Sequence, residues 1–310
     1  MRTLNHTSSV FAAQKNKNGL IHALMLLNVL LIASSFPVGA VITYALPPAV
    51  IMLLRFILAI LLFAPYVFIR NGFNLPSLIS MIHYIIMSIP LIAFFWCMFE
   101  SLRYTSLLNT GAIFTLVPTI TASFATILNK DKFSRFQLLG LFFGTLGAAW
   151  IVFRGDINTL LNLSLNYGDI VFFIGCLALG LYNVLIKKLY QNEPMELLTF
   201  WVLVWGSVWL SFISWQDLGQ INWKSVELNV YVAVAYLSVF TTLITFFLMQ
   251  FSIVRIGAAK ASAYNFITPV FVILLSIILG MERFSPVIVP GILLIIMAMF
   301  LIQLAKGRNR

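Results

Sequence analysis

The side chains of this sequence that could do chemistry are few, and they lie inside long apolar runs. Arg55 is the one base well inside such a run, and Glu100 lies near the end of another. In a bilayer, a central charge costs about 3 kcal/mol on insertion scales, so it usually faces protein and is paired. We predict either that Arg55 pairs with Glu100, or that Arg55 meets the carboxylate of a solute while Glu100 takes up protons. The structural alternative is that Arg55 binds backbone carbonyl groups or extends towards the interface.

Two prolines, Pro118 and Pro269, lie near the centres of apolar runs. A proline lacks an amide donor and clashes with the carbonyl group four residues earlier, which here belongs to Phe114 and Asn265. In lipid, a freed carbonyl group must be satisfied by protein or by cavity water. We therefore predict that both prolines line a cavity or act as hinges at the membrane midplane. Two purely structural kinks are the alternative.

Polar and aromatic side chains near these prolines are candidates to contact a solute. Asn265 precedes Pro269 by four residues, so the two share one helix face. The structural alternative for Asn265 is a hydrogen bond between helices. Aromatic walls with a few polar groups suit a flat or partly apolar organic solute. The other candidate cavity residues are Tyr264, Trp96, Tyr182, Asn183, Asn109, Thr115 and Gln250.

The composition indicates the surroundings of these residues. Apolar residues make up 61% of the 310-residue chain, charged residues only 9%, and the mean hydropathy is +1.02. Soluble domains contain about 25% charged residues, so we infer that lipid is the solvent. The net charge of +10 lies in short gaps between apolar runs. Because it forms no contiguous basic face, we expect no nucleic-acid partner.

Ten apolar stretches are long enough to cross a bilayer as helices, which requires about 20 residues each. Every gap between them is short and contains Pro, Gly, Asn or charge, so no gap holds a soluble domain. We predict an all-α integral membrane protein. The predicted spans are 20–43, 48–69, 78–100, 107–128, 135–153, 168–188, 196–214, 229–251, 259–280 and 286–305.

Basic residues predict the orientation of the chain. If the N-terminus is cytoplasmic, fourteen of the 19 Lys and Arg residues lie on the cytoplasmic side. Only Arg103, Arg154, Lys224 and Arg283 lie outside, and Arg55 is within a span. Cytoplasmic loops collect Lys and Arg, so both termini are predicted to be cytoplasmic.

The chain nearly repeats itself at an offset of 151 residues. "DKFSRFQLLG", which begins at Asp131, matches "ERFSPVIVPG", which begins at Glu282, and Pro118 meets Pro269. Five spans precede the midpoint and five follow it. Because five is odd, the second copy must enter the membrane in the opposite orientation. Inverted repeats are common in secondary transporters, whose solute site lies between the two halves.

Two long segments carry a family resemblance. "FESLRYTSLLNTGAIFTLVPTITASFATIL" and "RIGAAKASAYNFITPVFVILLSIILGMERFSPVIVPGILLIIMAMFLI" resemble the two EamA domains of the drug/metabolite transporter superfamily. "MLLRFILA" resembles the Arg-containing segment of the same family. The resemblance covers nearly the whole chain. The first half departs from it, with Asn-Lys-Asp where the family often has Gly-Xaa-Glu or Gly-Glu.

The resemblance implies ten helices arranged as two inverted five-helix repeats in a bacterial inner membrane. We expect the repeats at 19–153 and 168–305, an external linker at 154–167, and cytoplasmic tails at 1–18 and 306–310. By family analogy, we expect export or exchange of an amino acid or related metabolite by alternating access. Uptake of a vitamin or nucleotide-like solute is the alternative. From another class, a non-transporting scaffold or lipid-interacting protein also remains open.

The sequence contains no pattern typical of a catalytic or metal centre. His6, His22 and His83 are far apart, and Cys97 and Cys176 show neither metal-ligand nor disulfide spacing. No Walker A sequence is present, which argues against ATP-driven transport by this chain alone. We expect no enzymatic activity, no cofactor and no metal. The expected partners are a small-molecule substrate and membrane lipids, with proton coupling and a monomer or homodimer left open.

Overall fold

The computed structural model describes residues 2–72, 75–105, 107–156, 158, 166–278 and 285–304. Within these ranges the chain is helical and has no strand. Ten of the described helical segments are long and apolar enough to cross a membrane, from Gly19–Gly39 to Pro286–Gln303. This confirms the predicted all-α membrane fold. We call these segments the first to the tenth span, and the membrane side on which the first span begins the N-side.

Each half of the chain supplies five spans. The helices of the first half are Arg2–Ile42, Pro48–Asn71, Leu78–Ser101, Leu107–Phe114 with Val117–Leu128 in the fourth span, and Arg135–Val152. Those of the second half are Tyr167–Leu189, Met195–Ile213, Leu228–Ser238 with Val239–Ile244 and Thr245–Ile256 in the eighth span, Ala258–Ser262 with Ala263–Ile267 and Thr268–Ile278 in the ninth, and Pro286–Ile288 with Val289–Leu304. The short helices Trp215–Gln220 and Trp223–Ser225 join the seventh span to the eighth.

Three predicted features fall partly or wholly outside the described residues. They are the middle of the linker 154–167, the turn at Glu282, and the C-terminal tail 306–310. Residues 2–18, predicted as a tail, continue the first helix.

Local sequence explains where two of the spans begin. Ser134 accepts a hydrogen bond from the amide of Gln137, whose side chain accepts one from the amide of Ser134. Asn166 and Asp169 form the same reciprocal arrangement at the start of the sixth span. Such capping boxes satisfy amides that would otherwise have no partner at a helix start.

The helix packing follows the repeat. The fifth span packs along the tenth, and the second along the seventh. The third span packs against the sixth, and the first against the eighth, which are equivalent pairs under the repeat. At the fifth–tenth contact, a Cβ atom added to Gly147 would lie 2.8 Å from the carbonyl oxygen of Gly291. Small residues allow such close approach between helices in lipid.

The fourth and ninth spans are both broken, as the two prolines predict. In the fourth span, one helix ends at Phe114 and the next begins at Val117, with Pro118 as its second residue. In the ninth, the 3-10 segment Ala263–Ile267 precedes a helix in which Pro269 is the second residue. The carbonyl oxygen of Asn265, which Pro269 deprives of its usual donor, accepts from the amide of Thr268 instead. The helix breaks are therefore confirmed, and the hinge role remains a prediction.

Candidate functional site

A cavity lies at the centre of the bundle, between the two halves. Its volume, counted as the space that the centre of a water-sized sphere can occupy, is about 70 Å³. Its walls come from the first, third and fourth spans and from the sixth, eighth and ninth. Under the repeat, these are the same three spans taken from each half. The cavity is therefore built from equivalent parts of both repeats.

Repeat-related residues of the two halves meet in the wall of this cavity. Phe95 and Phe246 are 151 residues apart, both line the cavity, and their ring centroids are 5.5 Å apart. Met98 and Met249 also line it at the same offset. Contact between a residue and its own counterpart places the cavity on the axis that relates the two halves.

The cavity walls are mostly apolar, with a small polar set. The large apolar side chains are Phe94, Phe95, Phe114, Phe246, Met98 and Met249. The polar side chains are Ser35, Tyr182, Asn183, Thr241, Thr245 and Asn265. None of the lining residues is charged. Such a wall suits an organic solute with an apolar body and a few hydrogen-bonding groups.

The two broken spans bring one residue each to this wall. Neither Pro118 nor Pro269 lines the cavity, but Phe114 and Asn265, which precede them by four residues, both do. These are the residues whose carbonyl groups the prolines affect. The prediction that the prolines themselves line a cavity is therefore wrong, and their hinge role remains a prediction.

Asn183 is part of a buried polar group that joins the fourth, sixth and ninth spans. The amide of Asn183 donates to Thr121 Oγ1 at 3.4 Å, and Thr121 Oγ1 lies 3.1 Å from Ser262 Oγ. The amide oxygens of Asn183 and Asn265 are buried and have no hydrogen-bond partner. Because buried polar atoms are nearly always paired, these two oxygens are candidate hydrogen-bond acceptors for a ligand.

Tyr182 is held in the wall by a relay of side chains. Gln250 donates to the hydroxyl oxygen of Tyr182 at 2.8 Å, and the Thr199 hydroxyl donates to the Gln250 side-chain oxygen. Gln250, predicted as a cavity residue, does not line the cavity. It lies behind Tyr182 and orients the phenol.

Arg55 lies behind the wall rather than in it. Its side chain is only 1% exposed and donates to Thr242 Oγ1 at 2.7 Å and to Thr241 Oγ1 at 3.2 Å. The π-helical turn Val239–Ile244 carries both threonines. The guanidinium carbon is also 5.2 Å from the ring centroid of Phe95, a cavity residue. Arg55 is thus a buried cation held by neutral groups.

The predicted pair between Arg55 and Glu100 is not formed. Glu100 instead lies 3.6 Å from Arg103, one turn further along the chain. The physical reason is that the N–H groups of Arg55 donate to Thr241 and Thr242 on the eighth span. These threonines are far from Arg55 in the sequence, so their proximity could not be predicted. The structural alternative is partly realised, since Arg55 also donates to the Thr241 carbonyl at 3.4 Å. That Arg55 meets a solute carboxylate remains a prediction.

Tyr264 lies six residues from the N-side end of the ninth span, just before the cavity residue Asn265. Its hydroxyl is hydrogen-bonded to Nδ1 of His22 on the first span. Tyr264 is buried but does not line the cavity, unlike its neighbour Asn265. The role of His22 was not predicted, although its position near the end of a span was visible in the sequence.

Three other predicted cavity residues lie elsewhere. Trp96 is 36% exposed on the outer surface of the third span, because its neighbour Phe95 takes the inward face. Asn109 donates to Asp169 at 3.0 Å near the membrane side opposite the N-side, which we call the far side. Thr115 donates to the carbonyl of Ala112 at 2.7 Å within its own helix. These three predictions are corrected: none of the three lines the cavity.

The most informative residue missed from the sequence is Asn28. Its side chain is fully buried, and neither its amide nitrogen nor its oxygen has a hydrogen-bond partner. Asn28 precedes Ile32 and Ser35 by four and seven residues, so it shares the helix face that lines the cavity. The feature of the sequence that could have identified Asn28 is its position as a polar residue in the middle of an apolar run.

Known proteins are similar to this chain over 59–94% of its length. A solved crystal structure superposes with a TM-score of 0.74, covering 94% of this chain and 99% of the other, at 16% identity. The uncharacterized transporter YyaM of Bacillus subtilis is 30% identical over 59% of this chain, and the alignment spans 60% of that relative's length. An uncharacterized transporter of Archaeoglobus fulgidus is 22% identical over 82% of this chain and 87% of its own length.

The family model described as the EamA-like transporter family matches this chain twice. The two matches cover residues 19–153 and 166–304, which together account for most of the sequence. Each match contains five of the ten spans, so the domain repeat and the structural repeat coincide. The chain therefore belongs to the EamA-like transporter family and is a multi-pass membrane transporter.

Proposed function

We propose that this protein is a secondary transporter that carries a small organic metabolite, an amino acid or related compound, by alternating access. The observation that carries the proposal is the central cavity, which takes the same three spans from each inverted half. A solute held between two such halves is exposed to one side or the other when the halves rock.

The chemistry of the cavity supports an amphiphilic metabolite. Aromatic and methionine side chains would pack against an apolar side chain, and buried amide and hydroxyl groups would bind a polar end. Arg55 adds the preference for an anionic group, because a buried cation without an anionic partner is costly. A substrate carboxylate would reach it by displacing the hydroxyl of Thr241, which both lines the cavity and binds Arg55.

Contacts on the two sides of the cavity are candidates for its gates. On the N-side, His22 binds Tyr264. On the far side, Asp169 accepts hydrogen bonds from Thr105 and Asn109, which ties the sixth span to the start of the fourth. In the proposed cycle, each contact breaks when the cavity opens towards its side.

The orientation and direction belong to the same proposal. The excess of Lys and Arg on the N-side favours cytoplasmic termini, and the bacterial relatives favour an inner membrane. Export or exchange rests on family analogy. Proton coupling through Glu100 is not favoured, because that carboxylate lies beside Arg103 and away from the cavity wall.

Counterflow in proteoliposomes tests the function. Proteoliposomes that contain the purified protein are loaded with one unlabelled solute from a panel of amino acids, organic acids, vitamins and nucleotides. Entry of the same solute in labelled form is then followed. We expect exchange of an amino acid or a close relative. Leu179→Trp, which fills the cavity, should abolish it, whereas Leu146→Trp on the exposed surface of the fifth span should not. Equal flux in both variants would refute the proposed route.

A further inference from the structure

Three buried asparagines near the cavity have unpaired amide atoms. Asn28 and Asn183 are fully buried and Asn265 is 3% exposed. The side-chain oxygen of each has no partner, and Asn28 also leaves its amide nitrogen unpaired. An unpaired buried polar atom destabilises the folded state, so three such side chains in or beside the cavity wall require an explanation.

The three asparagines lie at similar depths in the bundle. Counted from the N-side end of each span, Asn28 is nine residues in, Asn183 six and Asn265 seven. At 1.5 Å per residue this places them roughly 9–14 Å from that side. The ninth span, which carries Asn265, packs against both the first and the sixth. Asn183 and Asn265 line the cavity together, and Asn28 continues its lining face by one turn.

The unpaired atoms are mainly acceptors. Three amide oxygens need donors, but only one amide nitrogen, that of Asn28, needs an acceptor. A protonated primary amine supplies three N–H donors and accepts none. No Asp or Glu lines the cavity, so the amide oxygens are the groups available to receive it at this depth.

We infer that Asn28, Asn183 and Asn265 form a carboxamide site that binds the protonated amine of a zwitterionic substrate. The inference rests on the proposed function and makes it more specific. Arg55 lies seven residues from the opposite end of the second span, beyond the cavity from this site. A zwitterion can direct its carboxylate to Arg55 and its amine to the amides, whereas a simple amine would leave Arg55 without an anion.

Matched ligand pairs test the site directly. Binding to the purified full chain is measured by calorimetry for leucine against 4-methylpentanoate, and for phenylalanine against 3-phenylpropanoate, which lack only the amine. We expect at least one amino acid to bind about tenfold or more tightly than its partner, as for a charged hydrogen-bonding group. In Asn28→Leu, Asn183→Leu and Asn265→Leu this preference should fall towards one. Equal affinity within both pairs, or a preference that all three variants retain, would overturn the site.

Thermal stability separates a binding role from a structural one. Leucine is close to asparagine in volume and removes the unpaired atoms, so Asn28→Leu should leave the unfolding midpoint unchanged or raise it by about 2–4 °C. Gln250→Leu is the control, because both polar ends of that buried amide are hydrogen-bonded. Its midpoint should fall. An equal fall in Asn28→Leu would assign Asn28 to the framework and remove it from the site.

The two proposals fail in different ways. If an amino acid shows the expected preference but does not cross the membrane, the carboxamide site stands and transport fails. If the deaminated acids cross and each pair binds equally, transport stands and the carboxamide site fails.

Discussion

Two regions built from the same repeated unit are packed differently. The fifth and tenth spans are in close contact, whereas the spans around the cavity leave space and unpaired polar atoms. In the fifth–tenth pair, Gly147 and Gly291 bring the backbones together, and the Trp150 indole donates to the carbonyl of Val287 at 2.8 Å. None of the described buried polar atoms without a partner lies in this pair. Around the cavity, by contrast, helices are broken and Asn28 and Asn183 leave polar atoms unpaired.

This difference indicates that some spans of each repeat stabilise the fold and others form the cavity. The fifth spans of the two copies form a closely packed framework where they meet, since a Cβ atom added at Gly140, Gly147 or Gly291 would lie within 3.0 Å of an atom of the opposite span. The first, third and fourth spans of each copy leave space and unpaired hydrogen-bonding groups, at a cost in stability. Natural proteins typically depart from good packing and pairing at functional sites. Substitutions in the framework should therefore affect folding, and substitutions around the cavity should affect binding.

The largest effect is expected in the framework. A Cβ atom at position 147 would lie 2.8 Å from the Gly291 oxygen and 2.8 Å from Leu294 Cβ. Because overpacking costs about 1–3 kcal/mol and 1 kcal/mol shifts the midpoint by about 2–4 °C, Gly147→Ala should lower the unfolding midpoint by roughly 5 °C. The measurement is a thermal melt in detergent. Gly219→Ala is the control, since nothing lies within 4 Å of its added Cβ atom, and it should melt close to the parent.

Next in size is the effect of the buried cation. Arg55→Met keeps an unbranched side chain but removes the charge, so we expect exchange of a carboxylate-bearing substrate to fall about tenfold or more. Stability should change little, since Thr241 also donates to the Leu237 carbonyl at 3.0 Å. Arg55→Lys should retain part of the exchange. If Arg55→Met exchanged the substrate normally but melted far below the parent, Arg55 would belong to the framework.

A smaller effect is expected at the N-side contact. Tyr264→Phe removes the hydroxyl group that His22 binds, without changing the size of the ring. If this contact stabilises the closed N-side, its loss shifts the population towards opening there. A cysteine introduced at Ser35 in the cavity wall should then react about threefold faster with an impermeant reagent from the N-side. An unchanged rate would mean that the contact is not a gate.

Much of the fold could be predicted because its causes are local in sequence. Hydropathy identifies ten spans, and the repeat with its odd number of spans sets their opposite orientation. Proline chemistry correctly located the breaks in the fourth and ninth spans, and with them Asn265 in the cavity wall.

The rest of the site depends on which helix faces meet, and the sequence does not contain that information directly. The partners of Arg55 are threonines 186 and 187 residues away, so pairing by similar depth pointed to Glu100 instead. Trp96 differs from Phe95 by one position, and only the packing determines which of them faces inward. Asn28 belongs to no sequence motif. Only the structure shows that its buried amide atoms have no hydrogen-bond partner.

Labelling of one cavity position from both sides of the membrane tests alternating access through the central cavity most directly. Ser35→Cys is placed in a background in which the buried Cys97 and Cys176 are replaced by alanine. Ser88→Cys is the control, since Ser88 is also buried and also donates to a carbonyl three residues earlier, but lies outside the cavity wall. We predict that an impermeant thiol reagent modifies position 35 from either side in sealed vesicles and leaves position 88 unmodified. Modification of position 35 from one side only, or from neither, would contradict alternating access through this cavity.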